Sequence, residues 1–254
     1  MQTATSFVKF PRLAVSFTTF AILLFASTPS RSAQSIAGAE PVSRSAAVRG
    51  RITLAGAVPK PKPLPVFKSR SFCGAKVANE TLLVNHDGGL KNGVVILRPV
   101  HPVSTAAPEK LVLDNQRCAF TPHVQVASVG SELLLKNSDP ILHTVHARLG
   151  VETLFNVGLP HWRQVIKRLD RAGVIRIDCD VLHTWMSALI VVSDSPFVAI
   201  SDAKGEFAIN GLSAGDYQME VWHEQLGVKA IRLSVNGESV TSIDVVYALN
   251  QNIR

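Results

Sequence analysis

The sequence predicts an all-β protein made of two small sandwiches behind an export leader, and three observations carry that prediction. From Ala47 onward the apolar residues come in short runs, with no sustained period of 3.6. Turn residues separate the runs: Asp87-Gly88-Gly89, Asn137-Ser138-Asp139-Pro140, Ala203-Lys204-Gly205 and Asn236-Gly237. The runs number fifteen, and so many short strands suit two sandwiches better than one.

The elements follow in order. Residues 1–33 carry Lys9, Arg12 and Arg31 with no acid, run apolar from Leu13 to Ala26, and lead into the small residues of 27–37. That is the pattern of a secretory signal peptide, with cleavage after Ser32, Ala33 or Ala37. Its apolar core of about 14 residues falls short of the roughly 20 that a spanning helix needs, so an exported protein without a membrane span is expected, in the periplasm or secreted. Val48–Leu54 reads as the first strand. The stretch Val-Pro-Lys-Pro-Lys-Pro-Leu-Pro at 58–65 is too rich in proline for a sheet interior and reads as an extended surface segment. Strands are then expected over 81–84, 93–100, 110–113, 123–127, 132–136, 143–148, 164–169, 173–179 and 187–192. A last group is expected over 197–201, 206–209, 216–223, 229–235 and 242–247.

Charge excludes more than it assigns. Losing Lys9, Arg12 and Arg31 with the leader lowers the formal charge from +7 to +4. The densest basic run, 163–171, holds four cations interrupted by Asp170, which is not the concentrated face a nucleic acid requires.

Three cysteines in an oxidising compartment leave one unpaired. Cys73 and Cys118 have no ligand-like neighbours at regular spacing, whereas Cys179 is followed by His183 and Met186. The simplest division is a Cys73–Cys118 disulfide with Cys179 as a ligand. The other division pairs Cys179 with one of the two and leaves a free thiol elsewhere.

The run Cys179-Asp-Val-Leu-His183-Thr-Trp-Met186 offers a thiolate, an imidazole and a thioether in one loop between two strands. Soft sulfur with imidazole selects copper over magnesium or calcium, and loops held on a rigid sheet are where ligands converge. A second imidazole has to come from elsewhere, and His143 supplies it at a strand start after the turn at 137–140. His146, three residues on, points to the opposite face of that strand and reads as structural. His123, at the start of the preceding strand, is a further candidate ligand, set against a histidine bonded to a backbone carbonyl. His86, His101, His161 and His223 read as loop or surface residues, and Trp185 as packing.

In order and spacing, Phe120-Thr-Pro-His-Val-Gln-Val, Val129-Gly130, Leu135-Lys-Asn-Ser-Asp, His143, Cys179, His183 and Met186 resemble the cupredoxin pattern over about 110–193. The resemblance implies a Greek-key sandwich with copper held by His143, Cys179, His183 and Met186. The loop is similar to that of amicyanin-type cupredoxins in the gap from His183 to Met186. It departs from them in having three residues between Cys179 and His183. The binuclear copper-A loop shares that gap, but its upstream cysteine is missing here, so a mononuclear site is expected.

A second resemblance begins after Val192. Ser201-Asp-Ala-Lys-Gly205-Glu-Phe207, then Gly215-Asp-Tyr217, is similar to the carboxypeptidase regulatory-like, transthyretin-type sandwich, whose glycines supply positive φ in tight turns. Gly50–Gly56 and Asn92–Leu97 look like opening strands of the same module. The expected organisation is therefore a copper-binding domain over 108–194 inserted between 48–100 and 196–250, with tandem domains as the alternative.

The expected function is one-electron transfer in the periplasm with a redox partner protein. A similarity to methylamine-utilisation-like proteins implies the same redox context. No nucleophile–base pair, second metal cluster or phosphate loop nominates an enzyme. The competing readings are a copper carrier or store and a metal-free interaction protein.

Overall fold

The computed structural model describes residues 45–56, 60–101 and 103–249, so the expected signal peptide at 1–33 lies outside the described residues. The first part of the chain carries β1 (Ala46–Ala55), β2 (Leu64–Pro65), the helical turn α1 (Arg70–Cys73), β3 (Lys76–Val77) and β4 (Val94–Pro99). The middle part carries β5 (Lys110–Gln116), β6 (Ala119–Thr121), β7 (Val124–Ser128), β8 (Ser131–Asn137), β9 (His143–Leu149), β10 (Glu152–Leu159), β11 (Gln164–Leu169), β12 (Gly173–Asp178) and β13 (Ser187–Ser193). The last part carries β14 (Phe197–Ile200), β15 (Glu206–Leu212), β16 (Gly215–His223), β17 (Gly227–Val235), β18 (Val240–Ser242) and β19 (Val245–Ala248). The all-β class is as the sequence predicts.

The middle part folds into two facing sheets, ordered β10-β9-β12-β13-β7 and β11-β8-β5-β6. Strand alternation explains the core between them: β8 turns Leu133 and Leu135 inward and β9 turns in Val145 and Ala147. Ile175, Ile177, Ala188 and Ile190 complete the opposing side. The same alternation puts His143, the first residue of β9, on the inner face at the rim of the sandwich. His146 comes out on the other face, bonded to Thr153 and paired with Asp180.

A second sandwich is built from both ends of the chain. One sheet runs β14-β4-β16-β17; in the other, β1 pairs with β15, β18 and β19. Their shared core holds Ile52, Leu54, Leu97, Phe207, Met219, Val221 and Tyr247. The chain leaves this sandwich after β4 and returns at β14, where Phe197 pairs with Leu97. The turn at 203–205 shows why glycine is required there: Gly205 has φ +79°, and a Cβ would lie 2.2 Å from the Ile52 carbonyl oxygen.

The two sandwiches meet face to face. On β4, Val95 and Leu97 enter one core while Val94 and Ile96 point away; on β13, Ala188 and Ile190 enter the other core while Leu189 and Val191 point away. These outward residues form a third apolar cluster with Val124, so both strands are buried on both faces.

Local expectations change in several places: short strands β2, β3 and β6 form where none is expected, and the strand expected over 242–247 is split into β18 and β19. The segment 81–84 makes only an isolated bridge, Val84 to Leu90, because Asn79 and Asn85 fold its flanks into turns by accepting from the backbone of Thr81, Asp87 and Gly89. The edge strand β10 forms where none is expected. Its half-exposed sequence Glu-Thr-Leu-Phe-Asn-Val-Gly-Leu lacks a clean alternation, and pairing along β9 imposes the strand.

Candidate metal centre

The loop of 179–186 leaves β12 and enters β13 at the point where Asp178 pairs with Ser187. Inside it the Met186 N–H donates to the His183 carbonyl at 2.9 Å, and Leu182 adopts φ +66°. A left-handed bulky residue is uncommon and marks a backbone held by its surroundings. Here the turn brings the His183 ring back over Cys179 in spite of the longer gap between them.

Three ligand atoms converge. His183 Nδ1 lies 3.1 Å from His143 Nδ1, Cys179 Sγ lies 3.7 Å from His183 Nδ1, and the same sulfur lies 3.9 Å from His143 Nδ1. A circle through atoms with those three separations has a radius of about 2.1 Å, which matches the metal–imidazole distance and falls slightly short of the metal–thiolate one. All three side chains are buried, and Met186 and Trp185 belong to the same enclosed cluster as Cys179. The donor set, two imidazole nitrogens and one thiolate sulfur, is one that suits copper.

Each histidine is held by its other nitrogen. His143 Nε2 lies 3.0 Å from Asp139 Oδ2, and His183 Nε2 lies 3.2 Å from Ser69 Oγ. A ring that gives its Nε2 proton to such a partner presents the Nδ1 lone pair to the triad, the arrangement by which outer partners fix the tautomer of a ligating histidine. Asp139 is fixed in turn by the N–H groups of Arg117 and Cys118, at 2.6 and 2.8 Å.

The electrostatics agree. Burial by itself pushes the Cys179 thiol up, but His143 and the N–H groups of Thr144 and Val181 outweigh it and hold the sulfur below its ordinary pKa. Burial would likewise lower His143, yet Asp139 and Cys179 raise it. His183 is lowered to about 4 by burial and by the charges of His143 and Lys68, so its ring is neutral at physiological pH. The Thr144 N–H and hydroxyl also reach the sulfur, at 3.4 and 3.7 Å.

Cys73 and Cys118 are joined in a disulfide, and Cys179 is the free thiol among the described residues. His123 is not brought into the group. Its Nδ1 lies 3.0 Å from the Ser187 carbonyl and its Nε2 lies 2.6 Å from Glu224 Oε1, so both nitrogens are engaged away from the triad. His223, expected at the surface, is only 1% exposed, because it continues the inward series Tyr217, Met219 and Val221 of β16.

Sequence reasoning did not reach Asp139, Ser69 or Thr144 as parts of the site. Asp139 carried a signal, standing four residues before His143 in the turn. Ser69 carried none, since it arrives from 114 residues away.

No protein-family model matches this sequence, and a search of curated proteins finds no relative. Among solved structures, a purple cupredoxin from Nitrosopumilus maritimus is 20% identical over 34% of this chain and 99% of its own, with a TM-score of 0.29. A copper-containing nitrite reductase from Thermus scotoductus is 19% identical over 38% of this chain and 25% of its own, at 0.31. A reduced amicyanin variant is 20% identical over 39% and 98%, at 0.30. Scores this low assign no function.

Proposed function

We propose that the chain is an exported mononuclear copper protein that passes single electrons in the periplasm, a carrier and not an enzyme. The observation that carries this reading is the enclosed triangle of His143 Nδ1, His183 Nδ1 and Cys179 Sγ, with Met186 in the same buried cluster as the sulfur. Bound copper would supply the one-electron couple. The protein's part is to hold the donors still: Asp139 and Ser69 fix the imidazoles, Thr144 donates to the sulfur, and β9, β12 and β13 anchor the rim. A site that needs little rearrangement suits electron exchange, whereas a copper store or shuttle must release its ion, and here the outer nitrogen of His183 is covered. His123 and Met186 enter differently, His123 as a structural histidine and Met186 as the distant fourth donor. The second sandwich, likened by its glycine turns to the carboxypeptidase regulatory-like module, serves as scaffold.

Metal analysis and a visible spectrum on periplasmically expressed protein test the reading. One copper per chain with an intense sulfur-to-copper band, lost in Cys179→Ser, is the expected result. A colourless protein that binds only copper(I) would favour the store or shuttle, and no copper at all would leave a metal-free interaction protein.

A further inference from the structure

The segment 60–79 lies over the centre from outside the sandwich that builds it. Ser69 Oγ meets the outer nitrogen of His183, Val66 is buried in the same core as Trp185 and Met186, and Cys73 is clipped to Cys118. His183 is left 1% exposed, with its outer nitrogen covered by this strap.

The outer side of the strap is distinctive in charge. Lys60, Lys62, Lys68, Arg70 and Lys76 are all exposed, and no acid occurs between 60 and 79. Among the described residues none of these five has an ion-pair partner. Two phenylalanines stand among them in the open, Phe67 at 73% and Phe72 at 43% exposure. Aromatic anchors inside a rim of one sign are the features of a protein contact surface and not of an inert loop.

We propose that the strap 60–79 is the docking face for an electron-carrier protein with an acidic contact surface. The proposal rests on the electron-transfer reading of the Cys179 centre and adds the side of approach and the sign of the partner. A partner seated on Phe67 and Phe72 stands one serine away from His183. Opposed charges would speed the encounter and make it fall with salt.

The test uses the mature copper-loaded protein and two soluble haem carriers of opposite charge, acidic cytochrome b5 and basic cytochrome c, with exchange followed by stopped flow. The variant is Lys62→Glu/Arg70→Glu/Lys76→Glu, which leaves Lys68, whose charge acts on His183, in place. With the acidic carrier, exchange should slow at least tenfold from low to high salt, and at least tenfold in the variant at low salt, while the basic carrier gains in the variant. Equal rates for the two proteins would overturn the proposal. So would loss of binding to phosphatidylserine vesicles in the variant with exchange unchanged, which would make the strap a membrane-facing surface. Amide shifts of metal-free protein titrated with cytochrome b5 separate this inference from the copper reading. Perturbations confined to 60–79 support the docking face whether or not copper binds, and their absence sinks it.

Discussion

Asp139 and His143 form an enclosed pair, the carboxylate Oδ2 3.0 Å from Nε2, with side chains 3% and 0% exposed. The same carboxylate accepts from the backbone of Arg117 and Cys118, so one side chain orients a ligand and closes a turn together. Asp139→Asn keeps the shape but turns an amide N–H₂ toward a backbone N–H. Metal affinity should fall about 10- to 100-fold, with roughly 1–3 kcal/mol lost from folding. Chelator competition and urea unfolding of the metal-free protein measure the two losses separately.

Ser69→Ala removes the outer partner of His183 without touching the triad. The expected outcome is about a tenfold weaker site, with faster metal release. Nitrogen shifts of the His183 ring in metal-free protein should show mixed tautomers where the native protein shows one. A single tautomer in the variant would mean that the serine is not what fixes the ring.

The disulfide closes a sequence separation of 45 residues, for which chain entropy gives about 4 kcal/mol. Cys73→Ser/Cys118→Ser should lose about that much by urea unfolding. It should also raise proteolysis within 60–79, because the clip is what holds that segment down.

Thr144 gives the sulfur two donors, and donors to a copper-bound thiolate favour the reduced state. Thr144→Val removes the hydroxyl. The potential should drop, by up to roughly 40 mV if about 1 kcal/mol is at stake in a one-electron couple. Voltammetry on the copper-loaded variant checks both direction and size.

His123 and Glu224 join the two sandwiches, and their pH dependence has a definite sign. Burial lowers the His123 pKa, but Glu224, the Ser187 carbonyl and the charge of Glu80 raise it above the ordinary 6.5, with His223 as the other titratable neighbour. A raised folded value means that the pair's stabilisation is complete below pH 6.5 and fades as pH climbs through the folded value. His223 works the other way: lowered to about 4 by burial and the charge of His123, it costs stability as pH falls from 6.5 toward 4. Thermal unfolding of metal-free protein should show a shallower alkaline decline in Glu224→Gln, the part owed to the raised His143 remaining, and keep its acid one.

What the sequence made legible was whatever is local. Cys179, His183 and Met186 share one loop, and His143 starts a strand directly after a turn, so spacing nominated all four, and the structure brings His143, Cys179 and His183 together. The period of two was enough to separate His143 from His146. Position at a strand start suggested His123 as a ligand, but its fate is decided by Glu224, 101 residues on, and no local pattern carries that. His223 was readable in hindsight, because the alternation of β16 runs through it. Ser69 was not, since its approach to His183 comes with a strap that is tied through Cys73 to the distant Cys118.

β13 begins at the residue after Met186 and is apolar on both sides, one against its own sandwich and one against Val94 and Ile96 of β4. The segment proposed to bind copper is thus not a cassette that can be cut free. Excised on its own, it would carry an oily flank of Val124, Leu189 and Val191 next to the ligand loop, and it would stick to itself before it could be studied.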